Sequence, residues 1–342
     1  MPDRLLDQMI GSHAFERLLT ERARPVVARA DAGEDFVISA LARALESPVL
    51  AVAAGRQEAE HLLRGAETWL GTERTAYLAP WEALPYEGIS PSPEVAAHRA
   101  DAAHRLRQAD GAFVLVTTGL AAMQGLIPTL GSVPPIQLVA GVELAPDELA
   151  DRLVALGYRR SDVVEHRGEF AVRGGVVDIF PGTARRPARL EYWGDEIESL
   201  REFAPATQLS SGAVRMVEVP PVRELVLDEQ IRRRAAGLAP EHQDRIADGL
   251  QRIADGLTFE GMESLAPLLF DELPTPAELL PPGAWVVTAQ ARRTADRARQ
   301  AFEEAVTLAE ATGWPGPPAL RPLDDALGAR TILELSEFTE GI

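Results

Sequence analysis

Val49-Leu-Ala-Val-Ala53 is a run of five apolar residues, too short for a buried helix and of the kind that a strand covered on both faces requires. The same pattern repeats on either side of it. Phe36 to Leu45 precedes the run with helical spacing, and Glu58 to Leu70 follows it in the same way. Thr75-Ala-Tyr-Leu-Ala79 and Ala112-Phe-Val-Leu-Val116 read as further buried strands, separated by a helix near Val95 to Ala109. Upstream, a helical Leu5 to Leu19 leads to the apolar pair Val26-Val27. Short buried strands alternating with helices predict a doubly wound, mostly parallel α/β sheet over residues 1 to about 130.

The pattern changes at the proline pair Pro134-Pro135. Residues from about 135 to 220 read as a smaller α+β unit. It has one helix, Asp147 to Leu156, then strands at Glu169 to Val172, Gly175 to Phe180 and Ala188 to Tyr192, parted by Gly and Pro turns. From about 221 helical character returns, and Arg245-Ile-Ala-Asp-Gly-Leu250 recurs as Arg252-Ile-Ala-Asp-Gly-Leu257. Two copies at a spacing of seven fall short of the sustained heptads of a coiled coil, so a packed or frayed surface helix is expected. Trp285-Val-Val287 reads as another buried strand, and Ala291 to Ala311 as a long amphipathic helix.

Charge and composition exclude several chemistries. The absence of cysteine removes disulfides, thiolate nucleophiles and cysteine-ligated metal sites. All 34 positive charges are arginine, so neither a Schiff-base lysine nor a lysine-dependent phosphate loop is possible. A genome rich in G and C would produce that bias without a functional reason. The net charge of −18 repels phosphate backbones, and DNA is not expected as a direct partner. Met1 to Gly11 lacks a basic stretch leading into an apolar core, so a cytoplasmic location is expected. The uncharged stretch Gly111 to Val142 is interrupted by Gln124, Pro128, Pro134 and Pro135, and is expected to hold buried strands and a linker rather than a membrane span.

The motifs that would carry catalysis are incomplete. Ala28-Arg-Ala-Asp-Ala-Gly-Glu-Asp35 lies between a strand and a helix, where a phosphate loop belongs. Such a loop needs a lysine to reach the outer phosphates and a hydroxyl to hold magnesium. Only Gly33 of the motif is present; Glu34 takes the lysine position and Asp35 the hydroxyl position, setting negative charge against negative phosphate. Leu268-Leu-Phe-Asp-Glu272 resembles the acidic strand of nucleotide hydrolases, but Pro274 and Pro276 follow at once and a surface turn is expected. The six histidines form no H-x-x-x-H or H-E-x-x-H pair, and no Gly-x-Ser-x-Gly elbow occurs.

Between Arg152 and Arg189 there are eight arginines against four acidic residues, a positive island in an acidic chain. Arginine beside exposed aromatics is what docking surfaces carry. The alternative is that the arginines pair with acids such as Glu191 and Asp195 on a solvated sheet face.

Within that island, Arg167-Gly-Glu-Phe-Ala-Val-Arg-Gly-Gly-Val-Val-Asp-Ile-Phe-Pro181 and Arg189-Leu-Glu-Tyr-Trp-Gly-Asp-Glu-Ile-Glu-Ser-Leu200 closely resemble the second domain of the bacterial transcription-repair coupling factors, which is shared with the excision-repair helicase UvrB. Trp81-Glu-Ala-Leu-Pro-Tyr86, with Ser90-Pro91 and Arg99, is similar to the W-E-T-L-P-Y block of the same family. The resemblance covers nearly the whole chain. It implies a degenerate RecA-like (P-loop NTPase-type) domain built from residues 1–134 and 221–342, with 135–220 inserted as a UvrA-binding domain. The contact residues it implies are Arg173, Arg189, Trp193 (in place of a phenylalanine), Phe170 and Gly174. It also implies a lost nucleotide site: UvrB has an intact phosphate loop at the position of Gly33, Glu34 and Asp35, and an acidic V-V-D-E strand where this chain has Val286-Val-Thr288-Ala289.

A non-catalytic, monomeric module with no cofactor is therefore expected, one that recruits UvrA by mimicking UvrB. Family members continue into RNA-polymerase-binding and DNA-translocating regions. The competing expectations are a nucleotide-dependent, UvrB-like helicase fragment and a UvrA surface masked by other domains of the longer protein.

Overall fold

The computed structural model describes residues 2–21, 26–29, 33–84, 87–314, 316 and 320–336. In chain order the strands are β1 (Val26–Arg29), β2 (Pro48–Ala53), β3 (Thr75–Leu78), β4 (Phe113–Thr118), β5 (Ile136–Val139), β6 (Arg159–Arg160), β7 (Glu169–Arg173), β8 (Val176–Ile179), β9 (Ala188–Trp193), β10 (Glu196–Phe203), β11 (Ser210–Ala213), β12 (Met216–Val219), β13 (Trp285–Thr288) and β14 (Thr331–Ser336). They fall into two compact units.

The larger unit comprises Met1–Glu87, Arg105–Pro128 and Phe270–Ile342. Its six-stranded sheet runs β1-β14-β13-β2-β4-β3, and every neighbouring pair is parallel. Val49 to Ala53 does form a strand buried on both faces, since all six residues of β2 are buried, as are all those of β4 and β13. The helices Glu34–Leu45 and Arg56–Leu70 close part of the core with Ile38, Leu41, Leu62 and Ala66. Burying each large aliphatic side chain of this kind contributes about 1.5–3 kcal/mol. A second cluster, around Met123, Ala298, Ala305 and Leu320, packs Ala291–Thr312 against Gly119–Met123. The single helix expected over Leu5 to Leu19 is two, Pro2–Ile10 and His13–Thr20. The break falls at Gly11-Ser12, where the Ser12 hydroxyl accepts the Phe15 amide as an N-cap at 3.3 Å.

The smaller unit comprises Gly88–His104 and Thr129–Leu269. Its main sheet has the order β11-β10-β9-β8-β7-β6, antiparallel throughout except for the short β6–β7 pair. The helix Pro146–Ala155 packs on one face through Leu149 and Leu153, together with Phe170, Val177, Ile179, Leu190 and Ile197. β5 and β12 form a separate antiparallel ribbon.

The grouping of segments differs from the expected division at 134 and 221. Gly88–His104 and residues up to Leu269 cluster with the inserted sheet, and the larger unit resumes at Phe270. Polar ties account for this. Arg99 and Glu224 form an ion pair at 2.6 Å, the Gly261 amide donates to Ser90 Oγ at 2.8 Å, and Arg223 reaches Glu263 at 3.2 Å. The repeated heptad is not a coiled coil: its first copy lies inside the helix Asp244–Ala254, which pairs with Glu229–Leu238, and the second copy ends the helix at Gly256 with φ +77°. Leu268 and Leu269 close a four-residue helix, Ala266–Leu269, and Asp271-Glu272 lies in the irregular stretch after it. No helix among the described residues is long and apolar enough to cross a membrane. Gly111 to Val142 holds β4, the helix Gly119–Met123 and β5.

Candidate functional site

Strand alternation places the expected contact residues on the main sheet of the smaller unit. Directly opposed residues of an antiparallel pair share a face. Asp178 of β8 opposes Arg189 of β9, Val176 opposes both Arg173 of β7 and Glu191 of β9, and Trp193 lies two residues past Glu191. Arg173, Asp178, Arg189 and Trp193 therefore occupy one face. Two hairpins end side by side at one edge of that face. Arg173 and Val176 flank Gly174-Gly175, while Trp193 and Glu196 flank Gly194-Asp195. Gly174 and Gly194 both have φ +60°, which a type II′ turn requires at its first central position. Gly174 thus supplies the turn that sets Arg173 at the hairpin tip.

Asp178 is the polar centre of the face and is fully buried. Arg189 donates to it through Nε (2.7 Å to Oδ1) and Nη2 (2.8 Å to Oδ2), and Arg173 donates through Nη2 at 2.7 Å to Oδ2. Charge-assisted bonds of this length are the strong ones, and they offset the cost of burying a carboxylate. The Arg189 guanidinium also lies 4.7 Å from the centre of the Phe203 ring and donates to the Gln208 carbonyl at 3.3 Å. The bond to Asp178 raises the pKa of Arg189 above the usual arginine value. Exposure separates the residues: Trp193 is 79% exposed, and the side chains of Arg173 and Arg189 are 49% and 19% exposed.

Phe170 is a correction. It lies on the opposite face, is 0% exposed and packs in the apolar core with Val177 and Leu190, so it supports the sheet and cannot touch a partner there. The acids that meet the arginines also differ from those expected. Arg152 pairs with Glu148, Arg159 with Glu169 and Arg167 with Glu94, in place of Glu191 and Asp195; Glu191 instead accepts from Ser199 at 2.6 Å. Asp178 is not among the contact residues the sequence implies, though an acid inside the apolar run Val176 to Phe180 is the signal that marks it.

The altered phosphate-loop region lies in the larger unit, and its residues 30–32 are outside the described residues. Gly33, with φ +83°, caps the helix Glu34–Leu45. The Glu34 carboxylate accepts the backbone amide of Gln290 at 3.2 Å, just beyond Thr288 and Ala289, which are both buried at the end of β13. The two halves expected of a nucleotide site are thus brought together, and an internal hydrogen bond joins them. Asp35 accepts from the Trp69 indole at 2.8 Å, and the Trp69 ring packs against Phe36 at a tilt of 49° with ring centres 4.6 Å apart. The W-E-A-L-P-Y block also has a local role. The Trp81 amide donates to the buried Gln124 side chain at 2.9 Å, while Pro85 and Tyr86 lie outside the described residues.

Comparison with known proteins matches residues 136–225 to the UvrB interaction domain family. Over 252 residues the chain is 38% identical to a transcription-repair-coupling factor of Mycobacterium tuberculosis, covering 69% of this chain and 20% of that protein. The corresponding protein of Myxococcus xanthus is 32% identical over 255 residues, covering 70% of this chain and 21% of that one. That of Bacillus subtilis is 31% identical over 223 residues, covering 63% and 19%. The matched region is about a fifth of the length of these relatives.

Proposed function

Residues 136–225 are a UvrB interaction domain and the chain is a homologue of transcription-repair coupling factors, and from that premise we propose that the smaller unit docks the excision-repair protein UvrA as a mimic of UvrB. One observation carries this: Arg173 and Trp193 project from adjacent hairpin tips on a single face, an exposed aromatic beside an arginine with donors to spare. Aromatic residues and arginine dominate the energetics of protein interfaces, and charge-assisted contacts contribute about 1.5–3 kcal/mol each. The larger unit is a degenerate RecA-like domain kept for its scaffold. Its parallel sheet supports that reading, as do the engagement of Glu34 by Gln290 and of Asp35 by Trp69. The module works in the cytoplasm without a cofactor, while RNA polymerase and DNA are contacted by other regions of the longer family members.

Titration of purified UvrA against the protein tests the docking. Saturable binding that Arg173→Ala combined with Trp193→Ala abolishes is the expected result, and unchanged binding overturns this surface. Calorimetric titration with ATP and magnesium tests the scaffold reading: no saturable heat is expected, and micromolar binding would restore the helicase alternative.

A further inference from the structure

The carboxylate of Asp178 lies between two arginines that use it differently. Arg189 turns three N–H groups inward, two of them to Asp178 and one to the Gln208 carbonyl, over the Phe203 ring. Arg173 gives Asp178 only Nη2, on the same Oδ2 that Arg189 grips, and half of its side chain stays open to solvent. Resting on the UvrA-docking reading above, we infer that Asp178 is a positioning residue: locked by the Arg189 fork, it aims the remaining N–H donors of Arg173 at a carboxylate on the partner, beside the hollow that receives Trp193.

Three features support this assignment. Arg173 stands at a turn next to Gly174 and Gly175, so its own strand offers little to restrain a long side chain. A side chain already held in its binding rotamer loses less freedom on association. Two guanidiniums held beside each other also repel unless an anion separates them, and Asp178 is that anion. In this arrangement Arg189 acts behind the surface, and Arg173 and Trp193 make the contact.

The test is a double-mutant cycle against purified UvrA. Asp178→Asn is expected to weaken binding about tenfold in the natural background and in Trp193→Ala, but less than about twofold once Arg173→Ala is present. An equal loss in all three backgrounds would mean that Asp178 only supports the sheet, and would overturn the inference. If Arg173→Ala leaves UvrA binding intact, the docking surface itself is refuted. If Arg173→Ala weakens binding and Asp178→Asn does not, only the positioning role is refuted. A partner-free readout covers the case in which Arg173→Ala removes binding altogether. The Arg173 side-chain N–H signals should exchange with water faster in Asp178→Asn while the Val177 and Leu190 amides keep their protection, and unchanged Arg173 exchange contradicts the inference. Should Asp178→Asn fail to fold, Asp178→Glu, which keeps the charge but displaces the carboxylate by one methylene, is carried through the same cycle with the same non-additivity expected.

Discussion

Arg99 and Glu224 meet at 2.6 Å with neither side chain reaching solvent. Between them they tie the helix Pro93–Gln108 to the segment that follows β12. Removing one partner strands a buried charge, so Arg99→Met is expected to cost about 3–5 kcal/mol in urea unfolding. Arg99→Met combined with Glu224→Leu should recover most of that loss, because a matched apolar pair leaves no charge uncompensated. A double variant no more stable than the single one would contradict this account of the pair.

Two glycines with positive φ should respond differently to the same substitution. At Gly261, φ +84°, an added Cβ would run into the Gly88 carbonyl oxygen; at Gly174, φ +60°, it would meet nothing within 4 Å. Gly174→Ala should therefore cost only the backbone strain of a positive φ, about 1–3 kcal/mol. Gly261→Ala should cost clearly more, because backbone has to move as well. Equal midpoints in parallel denaturant titrations would refute the distinction.

Glu169 links stability to pH. Burial opposes its ionisation, but the amides of Glu165 and His166, each at 2.9 Å, and the Arg159 guanidinium outweigh burial and lower its pKa. A carboxylate whose folded pKa is lowered contributes stability that is fully present above its unfolded value, 4.5 for Glu, and is lost as the pH falls through the folded value. Relative to Glu169→Gln, the natural protein should lose stability more steeply on acidification below about pH 5. Parallel acid limbs in melting temperature would show that the three donors contribute nothing to stability.

Trp193 should separate binding from folding. At 79% exposure its truncation to alanine removes little packing, and the melting midpoint should change by the equivalent of about 0.5 kcal/mol or less. The affinity for UvrA should fall by about 2 kcal/mol, as for an aromatic anchor. A large drop in stability instead would make Trp193 a folding residue.

Asp35→Ser restores a hydroxyl at the phosphate-loop position and yet should gain no ATP binding. It removes the acceptor of the Trp69 indole at 2.8 Å, which should cost about 1–2 kcal/mol of stability. Nucleotide-dependent stabilisation of this variant in a thermal shift assay would show that the site had been only one substitution from working.

Much of the larger unit was legible because its strands are buried on both faces. β2, β4 and β13 stand out as apolar runs in any reading. β14 is not announced by its sequence, because Glu334 separates Ile332-Leu333 from Leu335 and leaves no continuous apolar run. β5 and β12 alternate but are only four residues long each, and the four residues of the edge strand β11 are all exposed, so none of the three is announced by its sequence. At the candidate site Arg173, Arg189 and Trp193 were legible as residue types. Phe170 is not legible as a core residue, because sequence adjacency says nothing of which face a strand residue takes when the register is unknown. Asp178 became visible only when three strands brought its two arginines together.

In the larger sheet, β1 pairs among the described residues with β14 alone. A nascent chain therefore makes β1 about three hundred residues before its neighbour exists, and its exposed edge must wait while the whole smaller unit is synthesised. Parallel pairing over such a separation is slow, because the loop has to close before any hydrogen bond forms. During translation the smaller unit, whose own sheet joins strands that are mostly neighbours in sequence, can assemble first. The sheet of the smaller unit should thus be complete on the ribosome while the larger sheet is still open.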